Sequence, residues 1–432
     1  MQYHQLIRHN GIEPLFHAIE MSVIAACNHL PFHLHAEGLR GTGKTTALRA
    51  AHALLPPIER IKSCIYNCDP KNPHCPQHKN LTQEEIATIG TEFVPRPFLE
   101  ISHSAKIASV VGSIDLSKLV NSENSTAALL PGTIPQAHRG IIFVDEINRL
   151  ADTSPELADI LLDVMGTKPG RIQIEEAGLP IVEMPVEISI WAASNPDEEP
   201  GRLADVRRQL SDRFDLTIPV KQPSDVTSVQ RILNQTSPDT ELFQTFSIPK
   251  LDNISFRDDL QQILATIYVQ FNLESIRSIQ AIETASRLEA AISQRNTAQI
   301  DDIIKAILPT LSHRVSTQTI EQILHYLDLI KSHQEIPFSL SAGVIAEHTP
   351  KPTIKKFSLS RLQQFLKQLI KLLPKFPSMS ALTANTKRNE DPSHHQPQLK
   401  TSTKEDIISP PKIATPLSEL KEADWLQKPE EK

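Results

Sequence analysis

The chain has 432 residues, 39% of them hydrophobic, enough for two domains with sizeable cores and further segments beside them. A formal net charge of −7 supplies no global basic field, so composition does not favour nucleic acid as a partner. No uninterrupted apolar run is long enough to span a bilayer, and the opening MQYHQLIRHN lacks the basic-then-apolar pattern of a secretory signal, so the expectation is a cytoplasmic protein without a membrane partner.

Residues 11–30 carry apolar side chains at helical spacing and predict a helix. A mainly apolar strand, Pro31 to Ala36, leads into GLRGTGKTT, Gly38 to Thr46. This fits G-x-x-x-x-G-K-[ST], the phosphate-binding P-loop, in its required setting of strand, loop and helix. Gly38, Gly41 and Gly43 let the backbone curl so that N–H groups point at phosphate oxygens, with Thr42 and Thr46 in the same cradle. The start of the next helix adds its positive dipole end. Lys44 is placed to reach the β and γ phosphates, and the Thr45 hydroxyl to ligate Mg²⁺. The helix after the loop stops at Pro56-Pro57.

Residues 63–80 are turn-rich and hold three of the four cysteines. Cys64, Cys68, Cys75 and His78 offer three thiols and an imidazole, a set that suits tetrahedral Zn²⁺. The spacing is not that of a standard zinc ribbon or finger. Structural zinc, an iron–sulfur cluster and reduced cysteines in a plain loop all stay open, while a reducing cytosol disfavours a disulfide. Residues 107–120 read as a short strand followed by a helical start, and 121–139 as a loop.

IIFVDE, 141–146, is a buried parallel strand ending in two carboxylates, the Walker B pattern. Such carboxylates sit at the sheet edge where ligands bind. Asp145 is expected to hold Mg²⁺, and Glu146 to orient and activate the attacking water. An amphipathic helix (155–165) and a β-hairpin (170–186) follow. ISIWAASN, 188–195, is a further buried strand, and Asn195 at its end is placed to hydrogen-bond a terminal phosphate or the lytic water. Arg213 lies in SDRF just before a last strand, Leu216 to Val220.

Residues 1–222 are therefore expected to form the nucleotide-binding domain and 223–333 a separate helical bundle. From 334 to 432 Ser, Pro, Lys, Thr and His dominate, and 376–432 lack periodicity, as expected of disorder. One helical face at 357–373, with Phe357, Leu362, Phe365, Leu366, Leu369, Ile370 and Leu373, interrupts this tail. It reads as a helix docked on protein, or one that binds a membrane surface or a partner.

The ordered set of P-loop, Walker B strand, hairpin, Asn195, Arg213 and helical region is similar to that of AAA+ ATPases. Four stretches resemble the small ATPase subunit of magnesium chelatase: HAEGLRGTGKTTALRA, IYNCDPKNP, VVGSIDLSKLV with QAHRGIIFVDEINRL, and SNPDEE through RRQLSDRFDL. The resemblance covers about residues 10–320. It implies an αβα parallel-sheet fold with a C-terminal helical lid displaced from its usual AAA+ position, followed here by a largely disordered tail.

The resemblance also implies roles. Arg213 would be an arginine finger acting in trans on a neighbour's ATP, with Arg207 and Arg208 as alternatives. Arg277, of ESIR in the lid, would touch the γ phosphate in cis. Partners would be a homo-oligomeric ring, hexameric in the family, and a von Willebrand factor A domain protein. A large porphyrin-binding chelatase subunit would complete Mg²⁺ insertion into protoporphyrin IX. Two departures, the longer stretch 196–212 and the tail, allow a different client for the same motor. A nucleic-acid motor fits less well, because Glu175, Glu176 and Glu183 make the hairpin acidic. A scaffold that binds ATP without turnover does not explain the full catalytic set.

Overall fold

The computed structural model describes residues 3–114, 129–174, 181–234 and 248–333. The tail with its helix at 357–373, Glu175 and Glu176 at the hairpin tip, and 115–128 lie outside the described residues.

Five parallel strands form the central sheet: β1 (Leu34–Gly38), β2 (Phe98–Ile101), β3 (Gly140–Val144), β4 (Ile188–Ser194) and β5 (Leu216–Val220). Their order is β5-β1-β4-β3-β2. The P-loop strand β1 thus lies between β4 and β5, and the Walker B strand β3 flanks β4. Residue pairing brings the ends into line: Glu37 pairs with Ser194, and Ala192 with Val144. All three strand ends that carry predicted ligands meet at one edge of the sheet, where α/β sheets bind ligands.

The sheet is covered on both faces, which is why β3 and β4 read as continuous apolar runs. Ile141 and Phe143 of β3 and Trp191 and Ala193 of β4 face one core, together with the helix Glu13–Cys27. Ile142 and Val144, with Ile188, Ile190 and Ala192, face the other core, under the helix Pro155–Val164. Burying one such large side chain stabilises the fold by about 1.5–3 kcal/mol. Trp191 is fully buried, and its indole N–H donates to the Ser22 hydroxyl at 2.8 Å.

The hairpin pairs Gly170–Ile174 with Val182–Val186. Ile172, Ile174, Met184 and Val186 point inward, while Arg171 and Glu183 form an exposed pair.

After a short surface helix, Val226–Asn234, the described residues hold four lid helices: Asp258–Gln270, Ile276–Ile292, Ile300–Leu311 and Thr317–His333. They share the first core with the sheet, so Leu264, Ile282, Ile303 and Ile307 belong to the same apolar cluster as Leu216 and Ile218. Polar ties add to this, including His17 Nε2 to Glu289 Oε1 at 2.6 Å.

Two local expectations fail. At 107–114 the order is reversed: a helix, Ile107–Val111, precedes a strand, Gly112–Ile114. A short apolar run fits either period, and packing decides between them. The 121–139 stretch is not all loop, because Leu129–Pro131 pairs with that strand and Thr133–Gln136 is helical.

Candidate functional site

The P-loop lines a cavity of about 240 Å³ together with residues from the ends of β3 and β4. Gly41, Thr42, Gly43, Lys44, Thr45, Thr46, Asp145, Glu146 and Asn195 all border it. Gly41 and Gly43 have φ of +72° and +87°, left-handed values that L side chains resist. Gly38 plays a different part from the one expected. It ends β1 and does not border the cavity, and a Cβ there would stand 2.3 Å from the Val220 carbonyl oxygen. Its glycine is required by close strand packing, not by loop curvature, and its own carbonyl accepts from Lys44.

Lys44 is buried and its ammonium donates to the carbonyls of Gly38 and Leu39 at 2.6 and 2.7 Å. Burial lowers its affinity for a proton, and Asp145 and Glu198 oppose that fall. The Thr45 hydroxyl stands 3.3 Å from Asp145 Oδ1, so a cation ligated by both has its two donors already facing each other. Glu146 sits at φ +53° and pairs with Arg149 at 2.8 Å. Asn195 hydrogen-bonds Glu198, which also pairs with Arg40. Asn148 fixes the turn beyond by donating to the Asn195 and Gly201 carbonyls at 3.2 and 2.8 Å.

Mg²⁺-ATP fits this donor set. Thr45 and Asp145 supply hard oxygen ligands, and the positive-φ loop exposes backbone to phosphates. Glu198, Arg40 and Arg149 had no role assigned from sequence. Glu198 falls in the SNPDEE stretch, which was a signal, but its reach back to Arg40 depends on the fold.

Arg213 and Arg277 lie elsewhere. Both border a second cavity of about 900 Å³, with Gly166, Asp215, Arg287 and Arg314, and this cavity shares no lining residue with the P-loop cavity. Arg277, expected at its own subunit's γ phosphate, therefore does not line the P-loop cavity. The lid packs beside β5, and its second helix starts next to Arg213. Ser275 caps that helix by accepting from the Arg277 amide at 3.3 Å, and Arg277 Nη2 donates to the Gly166 carbonyl at 3.0 Å.

The Arg213 guanidinium has no hydrogen bond or ion pair among the described residues. Burial and the neighbouring Arg277 charge both lower its pKa, against weaker pulls from Asp212 and Asp163. Arg207 and Arg208, in contrast, are paired with Asp159 and Glu274. An uncompensated arginine beside a second arginine is electrostatically costly, and the arrangement suits an anion from outside the chain. Arg314 holds the backbone on either side of Arg213, donating to the Asp212 and Phe214 carbonyls at 2.7 Å each.

Comparison with known proteins places the chain in a family. The family model for magnesium chelatase, subunit ChlI, matches residues 16–199, and the AAA lid domain model matches 261–325. The magnesium-chelatase 38 kDa subunit of Acidiphilium rubrum is 28% identical over 67% of this chain and 85% of its own. A magnesium-chelatase subunit ChlI homolog of Methanocaldococcus jannaschii is 27% identical over 66% and 78%. The magnesium-chelatase subunit ChlI of Cyanidium caldarium is 30% identical over 66% of this chain and 82% of its own. The chain belongs to the ChlI family of magnesium-chelatase-type AAA+ ATPases.

Proposed function

We propose that the chain is the ATP-hydrolysing motor of a ring in which each active site is shared by two subunits. The observation that carries this reading is the separation of the two halves. Lys44, Thr45, Asp145, Glu146 and Asn195 converge on one cavity, while Arg213, unpaired among the described residues, borders another beside Arg277.

In the proposed reaction Lys44 leaves the loop carbonyls for the β and γ phosphates. Thr45 and Asp145 would hold Mg²⁺, which would supply charge neutralisation at the phosphates. Glu146 takes a proton from water as its oxygen attacks the γ phosphorus, and the bond to the β-phosphate oxygen breaks to give ADP and phosphate. Asn195, released from Glu198, orients the water or the γ phosphate. Arg213 and Arg277 enter from the neighbouring subunit and stabilise charge on the transferring group. Arg277 thus works in trans beside Arg213.

Family membership supports a chelatase-type client. The ring, a hexamer, drives a von Willebrand factor A domain protein, and the end reaction is metal insertion, with Mg²⁺ and protoporphyrin IX handled by a separate large subunit. A second reading keeps the motor and changes the client. It is favoured by residues 196–212, whose extra turn is clasped by the Arg202–Glu37 pair.

Glu146→Gln tests the core of the proposal. The variant should bind ATP, lose turnover by about 10²-fold or more, and hold the ring together in size-exclusion runs with ATP. Parent-like turnover would remove Glu146 from its role. A strictly monomeric ATP-bound protein would remove the ring.

A further inference from the structure

Residues 62–82 connect the strand Ile58–Ile61 to the helix Gln83–Ile89 without a helix or ladder strand of their own. A connection of that length needs something to hold it in one shape. Its fully buried side chains are Cys64, Tyr66, Asn67, Cys68 and Cys75, while Ile65 stays 46% exposed. The segment buries its thiols in preference to its isoleucine, so the thiols are what it is folded around.

The three sulfurs and a ring nitrogen of His78 all lie within 4.8 Å of one another. Cys75 Sγ and His78 Nδ1 are 3.1 Å apart. Tetrahedral zinc, with Zn–S of about 2.3 Å and Zn–N of about 2.0–2.1 Å, separates its ligand atoms by about 3.5–3.8 Å. The donors are already gathered at close to that spacing. Three sulfurs and one nitrogen select zinc or iron–sulfur chemistry over the hard cations that ATP recruits.

The surroundings fit a metal thiolate. The backbone amides of His74 and Cys75 donate to Cys68 Sγ at 3.4 and 3.3 Å, and His74 Nδ1 lies 3.3 Å from the same sulfur. Such N–H contacts from outside the ligand shell orient thiolates and spread their charge. All three cysteines are unpaired.

We propose that Cys64, Cys68, Cys75 and His78 bind one structural zinc ion, which folds residues 62–82 into a knuckle that braces the entry to the Walker B strand. The bracing contacts fall on Gln136, His138 and Arg139. Asn67 donates to the Gln136 carbonyl at 2.7 Å, His74 stacks on His138 at 3.6 Å, and Asp69 pairs with Arg139 at 3.4 Å. The next residue, Gly140, begins β3. The knuckle therefore grips the N-terminal end of the strand whose C-terminal end carries Asp145 and Glu146. Its role is in stability, away from the ATP chemistry.

The test uses full-length, tag-free protein purified under reducing conditions without added metal. Mass spectrometry of metals should give one zinc per chain. Titration with a mercurial thiol reagent, read with a zinc-sensitive dye, should release that zinc as the three buried thiols react. Cobalt exchange should produce the intense visible bands of a tetrahedral thiolate site. Cys75→Ser and His78→Ala should each lower zinc occupancy by about tenfold or more, while Cys27→Ser keeps it. If Cys75→Ser does not fold, the mercurial titration of the parent protein still decides. Metal-free parent protein that gives no cobalt spectrum overturns the proposal. So do a disulfide among these cysteines, brown iron–sulfur absorption, or alkylation of all three thiols in the native state at the rate of free cysteine.

Discussion

Removing the Arg213 guanidinium, in Arg213→Ala, tests the shared site most directly. In the structure this cation is half-buried, unpaired and held by Arg314 through the carbonyls of Asp212 and Phe214. A unit charge about 4 Å from developing phosphoryl charge, at an effective dielectric of about 20, contributes about 4 kcal/mol. That corresponds to roughly 10³-fold in rate, at the low end of measured arginine fingers. ATP affinity should change little, because no P-loop cavity residue is touched. The decisive assay mixes Arg213→Ala with Lys44→Ala, each nearly inactive alone. At equal amounts about a quarter of interfaces in a randomly assembled ring pair an intact Lys44 with an intact Arg213, so about a quarter of parent turnover should return. Full activity of Arg213→Ala, or no recovery on mixing, refutes the reasoning.

Two further outcomes follow from buried groups. Burial lowers both His33 and His35 to about 4, against an opposing pull from Asp215 on His33 and Glu37 on His35. Between about pH 6.5 and 4 the unfolded chain binds more protons than the native one, so stability should fall with pH by about 1.4 kcal/mol per unit for each histidine. Denaturant titrations at a series of pH values would read this, and His35→Gln should flatten the slope by one such increment; an unchanged slope counts against it. Gly38→Ala forces a Cβ to within 2.3 Å of the Val220 carbonyl oxygen, so the β1–β5 ladder must shift. The cost should reach about 3 kcal/mol, seen as a lower denaturation midpoint, and equal midpoints would show that the ladder yields freely.

Much of the site was legible because its motifs are short and local. A P-loop is one contiguous stretch, and a Walker B strand announces itself by four apolar residues and two carboxylates. What was illegible depended on pairing across the chain. Gly38 looked like a loop glycine because sequence does not say that Val220 lies beside it. The placement of Arg277 away from the P-loop cavity was illegible because the lid's docking on β5 is set by packing among Ile218, Ile303 and Ile307. The helix at 107–111 was misread for want of length, five residues being too few to fix a period. The cysteines were visible as a cluster, but their convergence with His78 within 4.8 Å was not.

The placement of Arg213 has a mechanical consequence. It lies three residues before β5, which pairs with β1 from Leu34–Leu216 to Gly38–Val220, and β1 runs straight into the P-loop. Arg277 is fastened to the same corner through Gly166. In the proposed ring, the fork offered to one nucleotide and the cradle around another would be opposite ends of a short run of hydrogen-bonded backbone. A tug on that fork as a neighbour's phosphate departs would have few soft joints in which to dissipate. Successive sites around a ring would be strung like beads on a taut cord, each feeling the last.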